Sequence, residues 1–121
     1  MTPLSALAID HADDIVIARL KGEIDLSNAR DLGADLAGAV PNTALGLVID
    51  LTAVEYLDSS GIHMIFELAE RLGRRQQACR VVVPEGAPIR RVLRIVELQG
   101  VVPIVATVDD AVAEIRRDIA G

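Results

Sequence analysis

Aromatic residues are almost absent. The chain of 121 residues has no tryptophan, one tyrosine (Tyr56) and one phenylalanine (Phe66). That scarcity argues against a ring platform on which bases or sugars stack. A single cysteine, Cys79, rules out an internal disulfide. It opens an apolar run and is expected to be an inert core thiol. The histidines, His11 and His63, fall in different elements, and neither has a partner at ligand spacing. No metal or other cofactor is therefore expected, and His11 reads as a loop residue. No apolar run approaches the roughly 20 residues that span a bilayer. The N-terminus lacks the basic start and apolar core of a secretory signal. Positive charge is also short, with 12 Lys and Arg against 18 Asp and Glu and a net charge of −6. Nucleic acid and anionic membranes both need a basic footprint, so neither is an expected partner. Arg71, Arg74 and Arg75 form a small cluster, read as the solvated end of a helix rather than a phosphate site. A cytoplasmic protein is the expectation.

What the chain does have is aliphatic mass. Apolar residues make up 51% of it, and its length suits one domain, residues 1–121, with one proper core. Apolar runs at 4–9 and 14–20, separated by Asp10-His11-Ala12-Asp13, predict a β-hairpin. In it Ile15, Ile17 and Leu20 face one way, with Val16 and Arg19 opposite. Asp25 or Ser27 caps a helix running through about Gly38, with Ala29, Leu32 and Leu36 on its apolar stripe. A strand follows at 45–51. The second helix spans about Ser59 to Gln76. Its stripe is Ile62, Ile65, Phe66, Ala69 and Leu72, and its outer face carries Glu67–Arg71 and Glu70–Arg74 pairs. Arg80 to Val83 reads as a strand, 88–98 as a helix, and Val102 to Ala106 as a short strand whose Pro103 suits a sheet edge. Thr107 and Asp110 make a capping-box-like start for a last helix at 108–119. The order β-β-α-β-α-β-α-β-α predicts an α/β fold. Its sheet has about five strands, mostly parallel, with one antiparallel edge strand and about four helices. If all helices lie on one face, Val48, Val16 and Val82 line a bare apolar face, and a homodimer is then expected.

Chemistry concentrates at Asp58-Ser59-Ser60-Gly61, between the third strand and the second helix. Ser59 has two available roles there. Its hydroxyl can cap the helix by accepting from an orphan backbone N–H. It can equally carry a phosphate, which a helix N-terminus favours. Ser60, one step into the helix, is the alternative cap. Loops after parallel strands gather on one edge of a sheet. The loop holding Asp25, Ser27 and Asn28 should therefore lie beside the one holding Asp58, Ser59 and Ser60, as one acidic docking patch. Catalysis has little support. There is no P-loop, and His63 sits one helical turn after Ser59, along the helix surface rather than poised as its base.

Two segments carry a resemblance. Gly22-Glu23-Ile24-Asp25-Leu26-Ser27-Asn28-Ala29 is similar to the "GELD…(T/S)A" segment of STAS domains. Leu47-Val48-Ile49-Asp50-Leu51, Val54 and Tyr56-Leu57-Asp58-Ser59-Ser60-Gly61 resemble their "(V/L)DLSxVxxxDSSG" segment. The Val-rich strand, the Pro-containing loop and Ile89 to Leu98 with Gly100 resemble the later part of the pattern, so the likeness covers nearly the whole chain as a single STAS domain. At this length it looks like an anti-sigma factor antagonist. The resemblance implies that an anti-sigma factor serine kinase binds the unphosphorylated protein and releases a sigma factor. It also implies that the kinase phosphorylates Ser59 and that a serine phosphatase resets the switch. Asp25, Ser27, Asn28, Asp58, Ser59, Ser60, Gly61 and His63 are the expected partner-binding residues, and no enzymatic activity is expected. STAS domains also serve as constitutive subunits docking to lipid or anion transport complexes, which is the alternative. This chain departs from the family where Ile62-His63-Met64 follows the glycine in place of small residues. His63 is either a tolerated surface residue or a filter on partner choice. Met64 is either an adaptable interface contact or core, and Tyr56 is expected to pack.

Overall fold

Alternating Ile, Val and Leu build the strands, and amphipathic stripes between them build the helices. The computed structural model describes residues 5–95, 100 and 102–120. The elements are β1 (Ser5–Ala12), β2 (Ile15–Ile24), α1 (Ala29–Ala39), β3 (Gly46–Leu57), α2 (Ser59–Arg74), β4 (Ala78–Val82), α3 (Pro88–Ile95), β5 (Ile104–Val105) and α4 (Val108–Ala120). The sheet runs β1-β2-β3-β4-β5. Only the β1–β2 pair is antiparallel. This is the element order and sheet type read from the sequence. The expected continuation of α3 to residue 98 lies outside the described residues.

Several boundaries differ, for identifiable reasons. β1 continues to Ala12, so His11 is a strand residue opposite Val16 rather than part of a loop. The turn is Asp13-Asp14, with Asp13 at φ 53, a left-handed conformation that Asp tolerates in a tight hairpin. The polar residues on this edge strand masked its alternation. β3 is 12 residues long and runs straight to Leu57 instead of ending at 51. Its far half pairs with β2 alone, because β4 meets β3 only from Gly46 to Asp50. Thr52, Glu55 and Tyr56 are consequently exposed, and Tyr56 does not pack as expected. α2 stops at Arg74, and Gln76 then turns the chain at φ 59. Glu70 pairs with Arg74 at 4.0 Å, but Glu67 pairs with His63 and not with Arg71.

The sheet has helices on both faces. Val16, Ala18, Leu20, Leu47, Ile49 and Leu51 meet α1, α2 and α3 in the larger core. Ile15, Ile17, Val48 and Val82 meet Ala111 and Ile115 of α4 in a smaller one. Strict period two therefore puts Leu20 with Val16, not with Ile15 and Ile17, and puts Arg19 on the Ile15 side. The expected bare face is covered by α4, and the apolar-face argument for a homodimer falls with it. Val16 lies on the opposite face from Val48 and Val82.

α4 packs buried Ala111 and Ile115 with half-buried Val108 and Val112 on its face, and ion pairs supplement them. Arg80, in the middle of β4, is only 8% exposed. It donates to Glu114 of α4 at 3.0 Å and also to Asp118. Arg116 donates to the Ala12 carbonyl at 3.0 Å and reaches Asp13 at 3.2 Å. The Thr107 hydroxyl accepts from the Asp110 N–H at 3.0 Å, which is the expected cap. Cys79 is buried, as expected. Burial pushes its thiol up to about 12, against a smaller opposing effect of the Arg80 charge. No helix among the described residues is long and apolar enough to cross a membrane.

Truncating Arg80 strands two carboxylates and leaves a gap under α4. Arg80→Ala is expected to cost about 2–3 kcal/mol in urea unfolding. That is below the usual loss for a fully buried pair, because Asp118 is half exposed. An unchanged midpoint would mean that Ala111 and Ile115 hold α4 unaided.

Candidate functional site

β2 and β3 run parallel and, after register shifts between Arg19 and Lys21 and between Gly22 and Glu23, reach a common end with Ile24 opposite Leu57. The Asp58 N–H then donates to the Ile24 carbonyl at 3.2 Å. The two loops that follow are therefore neighbours, as the sequence predicts.

In the first loop the polar side chains bind one another. The Asp25 carboxylate accepts from the Ser27 N–H at 2.9 Å and from the Ser27 hydroxyl. Asn28 Oδ1 accepts from the Asp25 N–H at 3.0 Å, and Asn28 Nδ2 donates to the Glu23 carbonyl at 2.8 Å. The Asp25 carbonyl accepts from the Asn28 and Ala29 N–H groups at 3.1 and 2.9 Å, starting α1. Asp25 and Ser27 thus shape the turn, and neither caps α1 as expected; the N-cap position is Asn28. Between them Leu26 stands 81% exposed. Sequence reasoning missed it, although an apolar residue inside a polar turn was a visible signal.

In the second loop the cap is Asp58. Its extended backbone carries Oδ1 to the N–H groups of Ser60 and Gly61, at 2.9 and 3.2 Å. Ser59 and Ser60 are both relieved of capping. Ser59 is the first residue of α2 and is exposed, and its hydroxyl has no hydrogen bond among the described residues. Ser60 is half-buried and Gly61 is buried. A Cβ at position 61 would fall 2.4 Å from Leu57 Cδ1 and 2.9 Å from Ile24 Cγ2. Glycine there lets α2 start tight against the strand ends.

Beside the loops, α1 and α2 enclose a groove of about 390 Å³, with Leu26, Ala29 and Gly33 on one side and Ser60, His63 and Met64 on the other. Met64 is buried at 6%, and a Cβ on Gly33 would lie 2.9 Å from its Cγ. Met64 is thus a core contact between the helices, at the floor of the groove. Arg30, Glu67 and Arg71 add charge to its walls. His63 is exposed, with Nε2 2.9 Å from Glu67 Oε1. It is not poised as a base toward Ser59. The structure gathers Asp25, Ser27, Asn28, Asp58, Ser59, Ser60, Gly61 and His63 into the two adjoining loops and the start of α2. Among the described residues no group of three His, Cys, Asp or Glu is placed to hold a metal ion.

The STAS domain family model matches residues 6–111. An anti-sigma-F factor antagonist of Mycobacterium tuberculosis, RsfB, is 30% identical over 113 residues, covering 93% of this chain and 90% of RsfB. The crystal structure of an anti-sigma factor antagonist from Mycobacterium paratuberculosis superposes with a TM-score of 0.82 at 30% identity, over 93% of this chain and 94% of that one. A sulfate transporter family protein from Wolinella succinogenes superposes with a TM-score of 0.70 at 15% identity, over 89% of each chain. At that identity the likeness is one of fold alone, and the same fold hosts more than one function.

The hydrogen bonds give the two neighbours, Asp58 and Ser59, different weights in stability. Asp58→Ala is expected to cost about 1 kcal/mol through loss of the cap. Ser59→Ala is expected to stay within about 0.5 kcal/mol of the parent. Paired urea unfolding curves check this, and equal losses would make the Ser59 hydroxyl a cap after all.

Proposed function

The chain belongs to the STAS family, and from that premise we propose that it is an anti-sigma factor antagonist working by partner switching. Unphosphorylated, it binds an anti-sigma factor that is also a serine kinase, and a sigma factor is released. Phosphorylation of Ser59 by that kinase ends the complex, and a serine phosphatase restores it. The protein itself is a cytoplasmic binding module, not an enzyme.

The observation that carries this reading is the division of labour at the start of α2. Asp58 holds the cap, so Ser59 is exposed with its hydroxyl uncommitted. A kinase can reach it without unwinding the helix. The added phosphate brings about −1.5 to −2 charges and three acceptor oxygens. At a helix N-terminus that charge is tolerated by the fold. At an interface it is costly, because it must be desolvated beside Asp58 and the Asp25 turn. Phosphorylation therefore acts on binding more than on stability. Leu26, exposed at the mouth of the groove, supplies apolar contact, and the acidic turns around it supply orientation. His63, exposed at the same mouth, restricts which kinase fits.

The test is binding to candidate anti-sigma factors encoded in the same genome, measured by calorimetry. Ser59→Ala is expected to bind as the parent does, and Ser59→Asp to lose at least about tenfold in affinity. Equal binding by both variants contradicts the switch. Stable capture of a transport ATPase, insensitive to either substitution, supports instead a constitutive subunit of a transport complex.

A further inference from the structure

Ser59, His63 and Glu67 follow one another at single-turn spacing along α2, and all three are exposed. The lower pair is already joined, with His63 Nε2 2.9 Å from Glu67 Oε1. The other ring nitrogen, Nδ1, has no hydrogen bond among the described residues. Residues four apart share a helix face, and helical side chains lean toward the N-terminus, so His63 is one turn from Ser59 on the same face, within a rotamer change of a group attached there. A phosphate on Ser59 meets that ring before any other cationic group on α2.

Proton inventory then decides the state of the ring. A neutral imidazole donates at one nitrogen and accepts at the other. If the single proton of a neutral ring stays on Nε2, beside Glu67 Oε1 at 2.9 Å, Nδ1 presents a lone pair, which repels a phosphate oxygen. An imidazolium donates at both nitrogens and joins two anions at once. Resting on the reading that Ser59 accepts phosphate, we infer that protonated His63 clasps the phosphate of phosphorylated Ser59 while keeping Glu67, so that phosphorylation draws a proton onto His63.

The charged groups around the ring set how far this goes. The carboxylates are Glu67 on α2 and Asp58 in the preceding turn, and the arginines are Arg30 on α1 and Arg71 on α2, which line the same groove. The phosphate outweighs the arginines because it is close to doubly charged and sits one turn away on the same helix face. Proton uptake makes the charge step pH-dependent. Phosphorylation changes the net charge by about −1 when His63 gains a proton and by about −2 when it does not. Because Ser60 and His63 both line the groove, the clasped phosphate is held across its mouth, where it closes the groove to a partner.

The experiment uses the full chain with phosphoserine encoded at position 59, made without any kinase. Histidine ring resonances are followed by NMR between about pH 5 and 9. His11 is an internal control, since it lies near the hairpin turn at the opposite end of the sheet. The His63 midpoint is expected to rise by about one pH unit on phosphorylation, with His11 unmoved. The phosphorus resonance should report the same midpoint and lose it in His63→Gln. An unmoved His63 midpoint, or an unchanged phosphorus titration in His63→Gln, overturns the clasp; the second result would also follow if Arg30 or Arg71 held the phosphate instead. Since the phosphate is installed directly, either result leaves partner switching to the binding measurement, and failure of partner switching leaves the clasp measurable.

Discussion

The parallel register that ends β2 and β3 together at Ile24 and Leu57 is the constraint on which the site depends. It places the chain's two polar turns side by side and lets Asp58 bond back to the Ile24 carbonyl. From there the geometry is tightly determined. Gly61 leaves no side chain between α2 and the strand ends, so the helix starts in contact with them. Asp58 satisfies the first N–H groups, and the next residue, Ser59, is left at the surface with an uncommitted hydroxyl. A serine serving as its own cap would lose a stabilising bond each time it was modified. Here the cap and the exposed hydroxyl are adjacent but separate, so the proposed phosphorylation changes the charge of the loop while the helix stays in place.

The opposite face of the sheet depends on a different balance. α4 contributes mainly Ala111 and Ile115 to the smaller core, and Arg80 and Arg116 tie it to β4 and to the hairpin. A buried arginine is costly unless its charge is matched, and here two carboxylates match it. This arrangement covers the face that would otherwise invite self-association. Exposed apolar surface is found instead at the loop end, at Leu26 beside the α1–α2 groove.

Much of this was legible in the sequence, and the misses have physical causes. Period-two and period-3.6 patterns gave the element order, because the central strands and the helices each bury a stripe. The DSSG and GELD-like segments gave two polar turns that adjoin in the fold, since each follows a strand of the same parallel pair. Strand ends were misjudged where a strand overhangs its neighbour. β3 beyond Leu51 has β4 on neither side of it, and exposed Thr52, Glu55 and Tyr56 do not alternate cleanly. His11 was misplaced because an edge strand accepts polar residues. Both serines were weighed as caps, whereas the aspartate before them reaches the same N–H groups from one residue further back. Arg80 and its partners on α4 are far apart in sequence, 34 and 38 positions, and no local pattern announces such a pair. Leu26 carried a signal that turn rules alone pass over.

Under the proposed switch Ser59, and not its neighbour Ser60, is the group a cognate kinase modifies. Intact mass and peptide mapping after incubation with ATP and candidate anti-sigma kinases from the same genome test it most directly. One phosphate is expected, on Ser59, absent from Ser59→Ala. A phosphate on Ser60 or elsewhere, or none from any kinase that binds the protein, would contradict it.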